Sequence, residues 1–428
     1  MTEPLKLAIA GLGTVGAGIV KIVQQHGDLL AARAGRPIEI VAISARSRSK
    51  DRGVDLSAYT WEDDPVALAR RDDVDVLIEV IGGEDGPAKA AVETALVNGI
   101  HVVTANKALL AVHGQELAVL AEENNVALRF EAAVAGGIPI VKALTEGLAG
   151  NGIERVMGVM NGTCNYILTV MEDTGADYSG VLKDAQDLGY AEADPTVDVG
   201  GFDAAHKLSL LAATAFGTQV DFDGVTIEGI DRIALTDIED AADMGYRIKL
   251  LGVARMNEDG LEQRMQPCLV PAQSPLGQLE GVTNMVVVEG DFVGQTVFQG
   301  PGAGEGPTAS AIMGDVMDIA RGLIIPVFGQ PAKTLTKAPR STTGADAEYY
   351  LRFSLADQPG VMAAVATVLG RHGISINRMH QYDHDGEMAP VLIVTHEVAR
   401  TKLDEALSEI AAMETSLADP IAIRIETV

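Results

Sequence analysis

Leu5-Lys-Leu-Ala-Ile-Ala10-Gly11-Leu-Gly13-Thr14-Val15-Gly16 runs an apolar, β-prone segment straight into three glycines spaced G-x-G-x-x-G. Glycines permit a tight turn and close backbone approach, and a helix opening at residue 14 presents free N–H groups to a pyrophosphate. Such a turn alone is weak, because glycine-rich turns close many strand–helix units. The downstream pattern gives it weight. Strand-like runs at 38–44, 74–82, 100–105 and 127–134 alternate with helix-spaced segments at 14–25, 87–98 and 115–124, the pattern of βαβ units in a parallel sheet. Composition sets the limits: 428 residues suit two or three domains at roughly 100–200 residues each. Thirty-two basic against 60 acidic side chains give a net charge of −28, which repels phosphate backbones and argues against nucleic acid. No run approaches ~18 apolar residues, so no membrane span is expected. The N-terminus lacks a basic secretion-signal region, and two cysteines, Cys164 and Cys268, make neither a disulfide framework nor a zinc site. A cytoplasmic protein is expected.

The second strand bears on the cofactor. A carboxylate at its C-terminal end would bind the ribose 2′-hydroxyl of NAD, whereas arginine accommodates the 2′-phosphate of NADP. The strand ends Ile43-Ser44-Ala45-Arg46-Ser47-Arg48, and Glu39 lies at its start, the wrong end. Arg46, with Arg48 and Lys50, therefore favours NADP(H) and leaves NAD(H) open. The bland alternative is a solvated loop.

Beyond the first, Rossmann-type sheet, 135–305 reads as a mixed α+β region, the catalytic substrate and dimerisation domain, with helices at 138–149, 163–173 and 202–216 and strands at 247–255, 265–270 and 284–289. A helical stretch near 306–325 is expected to complete the dinucleotide-binding domain of residues 1–134. Residues 326–346 read as a linker, rich in Pro, Gly, Ser and Thr. The remainder, 347–428, has the order β, α, β, β, α, β of a ferredoxin-like split βαβ. With no chemical motif beyond the linker, the catalytic part is expected to fold without this module.

Leu188-Gly-Tyr-Ala-Glu192-Ala-Asp194-Pro195-Thr-Val-Asp198-Val-Gly-Gly-Phe-Asp203-Ala-Ala-His206-Lys207 carries the chemistry. Asp203 and Lys207 are four apart at the start of an apolar helix and share one face. A capped helix with a surface ion pair would explain that spacing, but would contribute little stability. Four carboxylates, Glu192, Asp194, Asp198 and Asp203, converging near one lysine suit a receptor for an ammonium and a hydroxyl. The lysine, kept protonated, could hydrogen-bond an alkoxide or aldehyde oxygen during hydride transfer. Cys164 has no histidine near it in sequence and reads as a buried small side chain. His206 points around the helix from Lys207 and reads as structural, Trp61 as packing, and no other Cys or His stands at metal-ligand spacing from His380 and His384 in the sequence.

This run resembles the signature of homoserine dehydrogenases. The likeness extends over Gly11, Gly13 and Gly16, Thr104-Ala-Asn106-Lys107, Glu131-Ala-Ala-Val134-Ala-Gly136-Gly137-Ile138-Pro139, Asn161-Gly-Thr-Cys-Asn165-Tyr166 and Gly300-Pro-Gly302-Ala-Gly304-Glu305. The resemblance implies a monofunctional enzyme that interconverts L-aspartate 4-semialdehyde and L-homoserine with NAD(P)H, in threonine, methionine and isoleucine synthesis. It implies Lys207 as acid/base with Asp203 beside it, and Glu192, Asp198 and Lys107 as substrate contacts. Gly11, Gly13, Thr14, Val15, Gly16, Arg46, Lys107, Gly302, Gly304 and Glu305 would face the cofactor. Which lysine moves the proton is left open, with Lys207 favoured. Glu131, Val134, Gly136 and Ile138 match a Na⁺ loop of some members, with an ordinary glycine-rich crossover as the alternative.

Residues 349–428 resemble an ACT domain, in which Asp357 and Gly360 form an amino-acid-binding turn and Asn377 is a further contact. By analogy the effector is threonine, and paired domains imply a homodimer or homotetramer; a dimerisation module without ligand is the alternative. Two other functions compete: a different NAD(P)-dependent dehydrogenase of an amino-acid-like substrate, and a non-catalytic amino-acid sensor. A sensor would not need Lys207 within its carboxylates.

Overall fold

The computed structural model describes residues 2–192, 194–341, 344–381, 386 and 388–427. The N-terminal half is a parallel sheet of six strands: β1 (Leu5–Ala10), β2 (Ile38–Ser44), β3 (Thr60–Glu62), β4 (Val76–Glu79), β5 (His101–Thr104) and β6 (Leu128–Arg129). Their spatial order is β3-β2-β1-β4-β5-β6. The sequence reverses direction across the sheet between β1 and β4, and there the C-terminal strand ends open into a crevice. Helices cover both faces, so β4 is buried along its whole length, with an apolar run, Val76-Leu77-Ile78, that ends in the buried Glu79. The helix Glu305–Ala320 returns to pack on Thr14–Ala34, its Ala309, Ile312 and Val316 joining Ile9 and Ile19 in one core.

The strand expected over 127–134 stops at Arg129. The chain turns there into a 3-10 turn, Glu131–Ala133, and the buried Glu131 carboxylate accepts the N–H groups of Val141 and Lys142. The expected helix at 138–149 is a short α-turn, Ile140–Lys142, continued by a π-turn, Ala143–Gly147.

The second sheet holds ten strands. It contains β7 (Ile153–Val159), β8 (Thr226–Ile227), β9 (Tyr246–Asn257), β10 (Gly260–Pro271), β11 (Thr283–Gly290) and β12 (Gly294–Pro301). It continues through β13 (Tyr349–Ala356), β14 (Ile376–Gln381), β15 (Met388–Thr395) and β16 (Ile421–Ile425). With helices Val361–Arg371 and Arg400–Ala411 the last four strands make the βαββαβ module that the sequence order implies.

Two findings change the view of this module as a tethered appendage. Strand β16 pairs in parallel with β10, Cys268 opposite Arg424, which joins both halves into one sheet. The linker is strapped down as well: Ala332 and Phe328 are buried, Gln115 donates to the Ala332 carbonyl, and Glu122 accepts the Ala332 N–H. The module is therefore built into the same sheet as the catalytic part. Removing the module would bare the β10 edge and the buried Arg264, whose guanidinium is paired to Glu426 at 2.6 Å. Among the described residues no helix is long and apolar enough to cross a membrane.

Candidate active site

The glycine turn meets the requirements of a pyrophosphate cradle. Gly11 has φ +106°, and a Cβ there would stand 2.6 Å from the Val80 carbonyl oxygen, so only glycine fits. A Cβ on Gly16 would lie 2.1 Å from the Gly11 oxygen. At Gly13 a Cβ would meet nothing within 4 Å: the turn leaves its ligand side open. Gly13 is also the N-cap of Thr14–Ala34 and brings no capping side chain, so the first N–H groups stay available to an anion. A cleft of about 450 Å³ runs from this turn past Ser44 and Arg46 to Lys50 and Arg52. Its donors and its open glycine fit a dinucleotide.

Arg46 is exposed and lines the cleft. Arg52, which carries no motif in the sequence, organises the loop by donating to the carbonyls of Leu12, Ser47 and Lys50. Trp61 is more than packing. The guanidinium carbons of Arg48 and Arg52 both lie 5.6 Å from its ring centroid, close enough for cation–π attraction.

At the ends of β4 and β5 a second unforeseen group shapes the crevice. Glu79 is fully buried and accepts hydrogen bonds from Ile81 N, Gly82 N and Thr104 Oγ1. Asn106 caps the helix Lys107–Glu123 through Leu109 N, which sets Lys107 as its first residue.

The apolar helix Phe202–Phe216 packs against Lys107–Glu123, and this contact assembles the site. One oxygen of Asp203 accepts from Lys207 Nζ at 2.7 Å and the other pairs with Lys107 Nζ at 3.1 Å. Lys207, with 8% of its surface exposed, also donates to the Met160 carbonyl at 2.8 Å, just past the end of β7. Burial alone would raise the Asp203 pKa, but the charges of Lys207 and Lys107 outweigh it and hold the carboxyl well below its ordinary value. Asp198 shifts the other way. Burial raises it, a hydrogen bond from Asn161 opposes that, and Asp203 adds to the rise. Glu192 is exposed at the rim, near enough for its charge to act on Asp198. Asp194 is not part of the cluster: it is exposed and accepts from the N–H and hydroxyl of Thr196, serving the turn before helix Thr196–Val199.

Other predicted residues fall less neatly. Gly302 packs against the loop at Gly136, where a Cβ would lie 2.5 Å from the Gly302 oxygen. Glu305 is ion-paired with Lys21 on the first helix at 2.5 Å, which anchors one helix to the other. Glu131 spends its carboxylate on backbone amides, and burial, with Asp315 nearby, raises it to about 7. The backbone carbonyls of Glu131 and Ile138 accept the N–H groups of Val134 and Ile140. Asp357 and Gly360 line a cavity of about 100 Å³ with Gln381. Asn377 is turned to Glu348 instead and does not line it.

Cys164 is fully buried with its thiol pushed well up, which removes a thiolate role; its Sγ donates to the Asp198 carbonyl. His206 stacks on Phe222 at 4.1 Å. His384 lies outside the described residues, among which no cluster of three or more metal-ligating side chains occurs.

A parallel sheet that offers a dinucleotide turn at its switch point, with a lysine-bridged carboxylate across the crevice, is the architecture of an NAD(P)-dependent oxidoreductase. Comparison with known proteins narrows the class. The profile of the homoserine dehydrogenase NAD-binding domain matches residues 11–131, that of homoserine dehydrogenase 139–317, and that of the ACT domain 349–415. A homoserine dehydrogenase from Pseudomonas aeruginosa is 42% identical over 99% of both chains, and one from Bacillus subtilis 39% over 96% of both. A crystal structure of a homoserine dehydrogenase from Thiobacillus denitrificans superposes with TM-score 0.94 at 40% identity, covering 99% of this chain and 98% of that one. A hyperthermophilic archaeal homoserine dehydrogenase in complex with NADPH matches 75% of this chain and 98% of its own, with TM-score 0.65 and 25% identity. The chain belongs to the homoserine dehydrogenase family.

Proposed function

We propose that Lys207 exchanges the proton with the C4 oxygen in the reversible reduction of L-aspartate 4-semialdehyde to L-homoserine, with NADP(H) preferred over NAD(H). The observation that carries this reading is the Lys107–Asp203–Lys207 bridge. An ammonium has three donors. Lys207 gives one to Asp203 and one to the Met160 carbonyl, and its third is left for a substrate oxygen. Asp203 fixes its position through the 2.7 Å contact with its Nζ. When bound, the nicotinamide supplies or takes the hydride. In the reducing direction Lys207 stabilises the charge that grows on the aldehyde oxygen and delivers a proton to it; in the oxidising direction it receives the hydroxyl proton. Lys107, at the crevice edge, orients the substrate between the halves. Asp198 and Glu192 receive its ammonium group.

The cofactor preference rests on Arg46 in the cleft and on the absence of a carboxylate at the end of β2. The relative bound to NADPH supports it. The reading gives Na⁺ no chemical role. The ACT module supports regulation by an amino acid, for which we propose threonine, at the Asp357–Gly360 turn. We further propose a cytoplasmic homodimer or homotetramer paired through these modules.

The decisive assay is homoserine-dependent NADP⁺ reduction by wild type, Lys207→Met and Lys107→Met. Lys207→Met lowers kcat by at least ~10²-fold, the low end for positioned acid–base catalysis. A near-normal kcat in the folded variant transfers the role to Lys107 or to water.

A further inference from the structure

Asn161 sits between the two acidic side chains that the reaction must keep distinct. Its Nδ2 donates to Asp198 Oδ1 at 3.1 Å and to Asp203 Oδ2 at 3.2 Å. Its Oδ1 accepts the Cys164 N–H at 2.8 Å and so caps the helix Gly162–Thr174. The residue is 4% exposed, and both polar atoms of its side chain are engaged.

Few side chains can replace that fork. Bridging two carboxylates with neutral chemistry needs two protons on one atom, which a primary amide has and a hydroxyl lacks. Lysine would bring a third positive charge beside Lys107 and Lys207. Aspartate would bring a third carboxylate. The two bridged groups are also unequal. Asp203 is taken on both oxygens by the lysines, whereas Asp198 Oδ2 has no hydrogen-bond partner among the described residues.

We propose that Asn161 is a positioning residue that holds Asp198 apart from the lysine-bound Asp203 and turned to accept the ammonium group of the amino-acid substrate. This assignment rests on the reaction proposed above. It divides the acidic cluster by function: Asp203 serves the proton-transferring lysine, and Asp198 serves recognition. Burial works against an ionised Asp198, and the Asn161 hydrogen bond is the chief opposing influence.

Asn161→Ser tests this directly. Serine is a good N-cap and preserves the helix start, but it cannot span both carboxylates. In the full-length enzyme, KM for homoserine rises at least ~10-fold with a smaller fall in kcat, and the NADP⁺ dissociation constant stays within about twofold. The acidic limb of the kcat/KM profile moves to higher pH, because the charged form of Asp198 has lost a donor. A purely structural role would lower thermal stability without moving that limb. Asn161→Asp, isosteric and still able to cap, moves the limb in the same direction through like-charge repulsion and serves if the serine variant fails to fold. A folded variant with wild-type KM and limb overturns the assignment and leaves the reaction standing. Wild-type enzyme that shows no homoserine-dependent NADP⁺ reduction overturns both.

Discussion

Replacing Glu426 by Gln tests whether the ACT module is structurally part of the catalytic sheet. Glu426 comes just after β16 and is 6% exposed. Its Oε1 pairs with Arg155 at 3.1 Å, and its Oε2 with Arg264 at 2.6 Å and Arg424 at 3.1 Å. Removing one partner from a buried ion cluster typically costs about 3–5 kcal/mol, most of it from the charges left behind. Here Arg155 keeps Glu289 at 2.7 Å and Arg264 keeps Glu262 at 3.0 Å, so the low end, about 3 kcal/mol, applies. At about 2 °C per kcal/mol for a domain of this size, the melting temperature falls by roughly 6 °C. The pH dependence has a definite sign. Burial pushes Glu426 up, but Arg264 and Arg424 outweigh it, so the folded pKa lies below the ordinary 4.5. Such a group stabilises the fold above its unfolded pKa, and the contribution fades as pH falls through the folded one. The gap between wild type and variant is therefore full at neutral pH and closes only on acidification below about the ordinary carboxylate range. Differential scanning calorimetry at several pH values measures it. A gap under 1 °C at neutral pH, or one that closes as pH rises, refutes the reasoning.

Single positions carry the other expectations. Arg46→Asp lowers the kcat/KM ratio of NADP⁺ to NAD⁺ at least ~10-fold, since the carboxylate repels the 2′-phosphate and offers an acceptor to a 2′-hydroxyl; an unchanged ratio places Arg46 outside recognition. Gly13→Ala weakens NADPH binding, read by fluorescence titration, while leaving the melting temperature within about 1 °C, the range of an uncrowded surface change. Gly16→Ala destabilises the protein outright, because the added methyl would lie 2.1 Å from a carbonyl oxygen; equal melting temperatures for the two variants contradict this. Asp357→Ala raises the threonine concentration needed for half-inhibition and leaves uninhibited kcat nearly intact, whereas Asn377→Ala, turned toward Glu348, changes inhibition little.

Much of this protein is local information. The glycine turn, the alternation of strands and helices, the helix 202–216 and the terminal βαββαβ order are set by periodicity and turn chemistry within a few tens of residues. The pairing of Asp203 with Lys207 is one helical turn. The role given to Asp194 failed because a short carboxylate in a loop finds the nearest amide and hydroxyl, both on Thr196, before any distant lysine. Glu79 and Arg52 have mostly backbone partners, which carry no sequence signature.

The sequence by itself determined the glycine turn, the strand–helix alternation of the first sheet, the helix 202–216 and the terminal βαββαβ order, because those depend on side-chain periodicity and turn geometry. Only the tertiary structure decided that Lys107 and Lys207 share one carboxylate, that Asn161 bridges that carboxylate to Asp198, and that β16 closes against β10. Each of these joins positions tens to more than a hundred residues apart through polar contacts between separate elements. Their pairing arises from how helices and sheet edges pack, and no spacing along the chain encodes it.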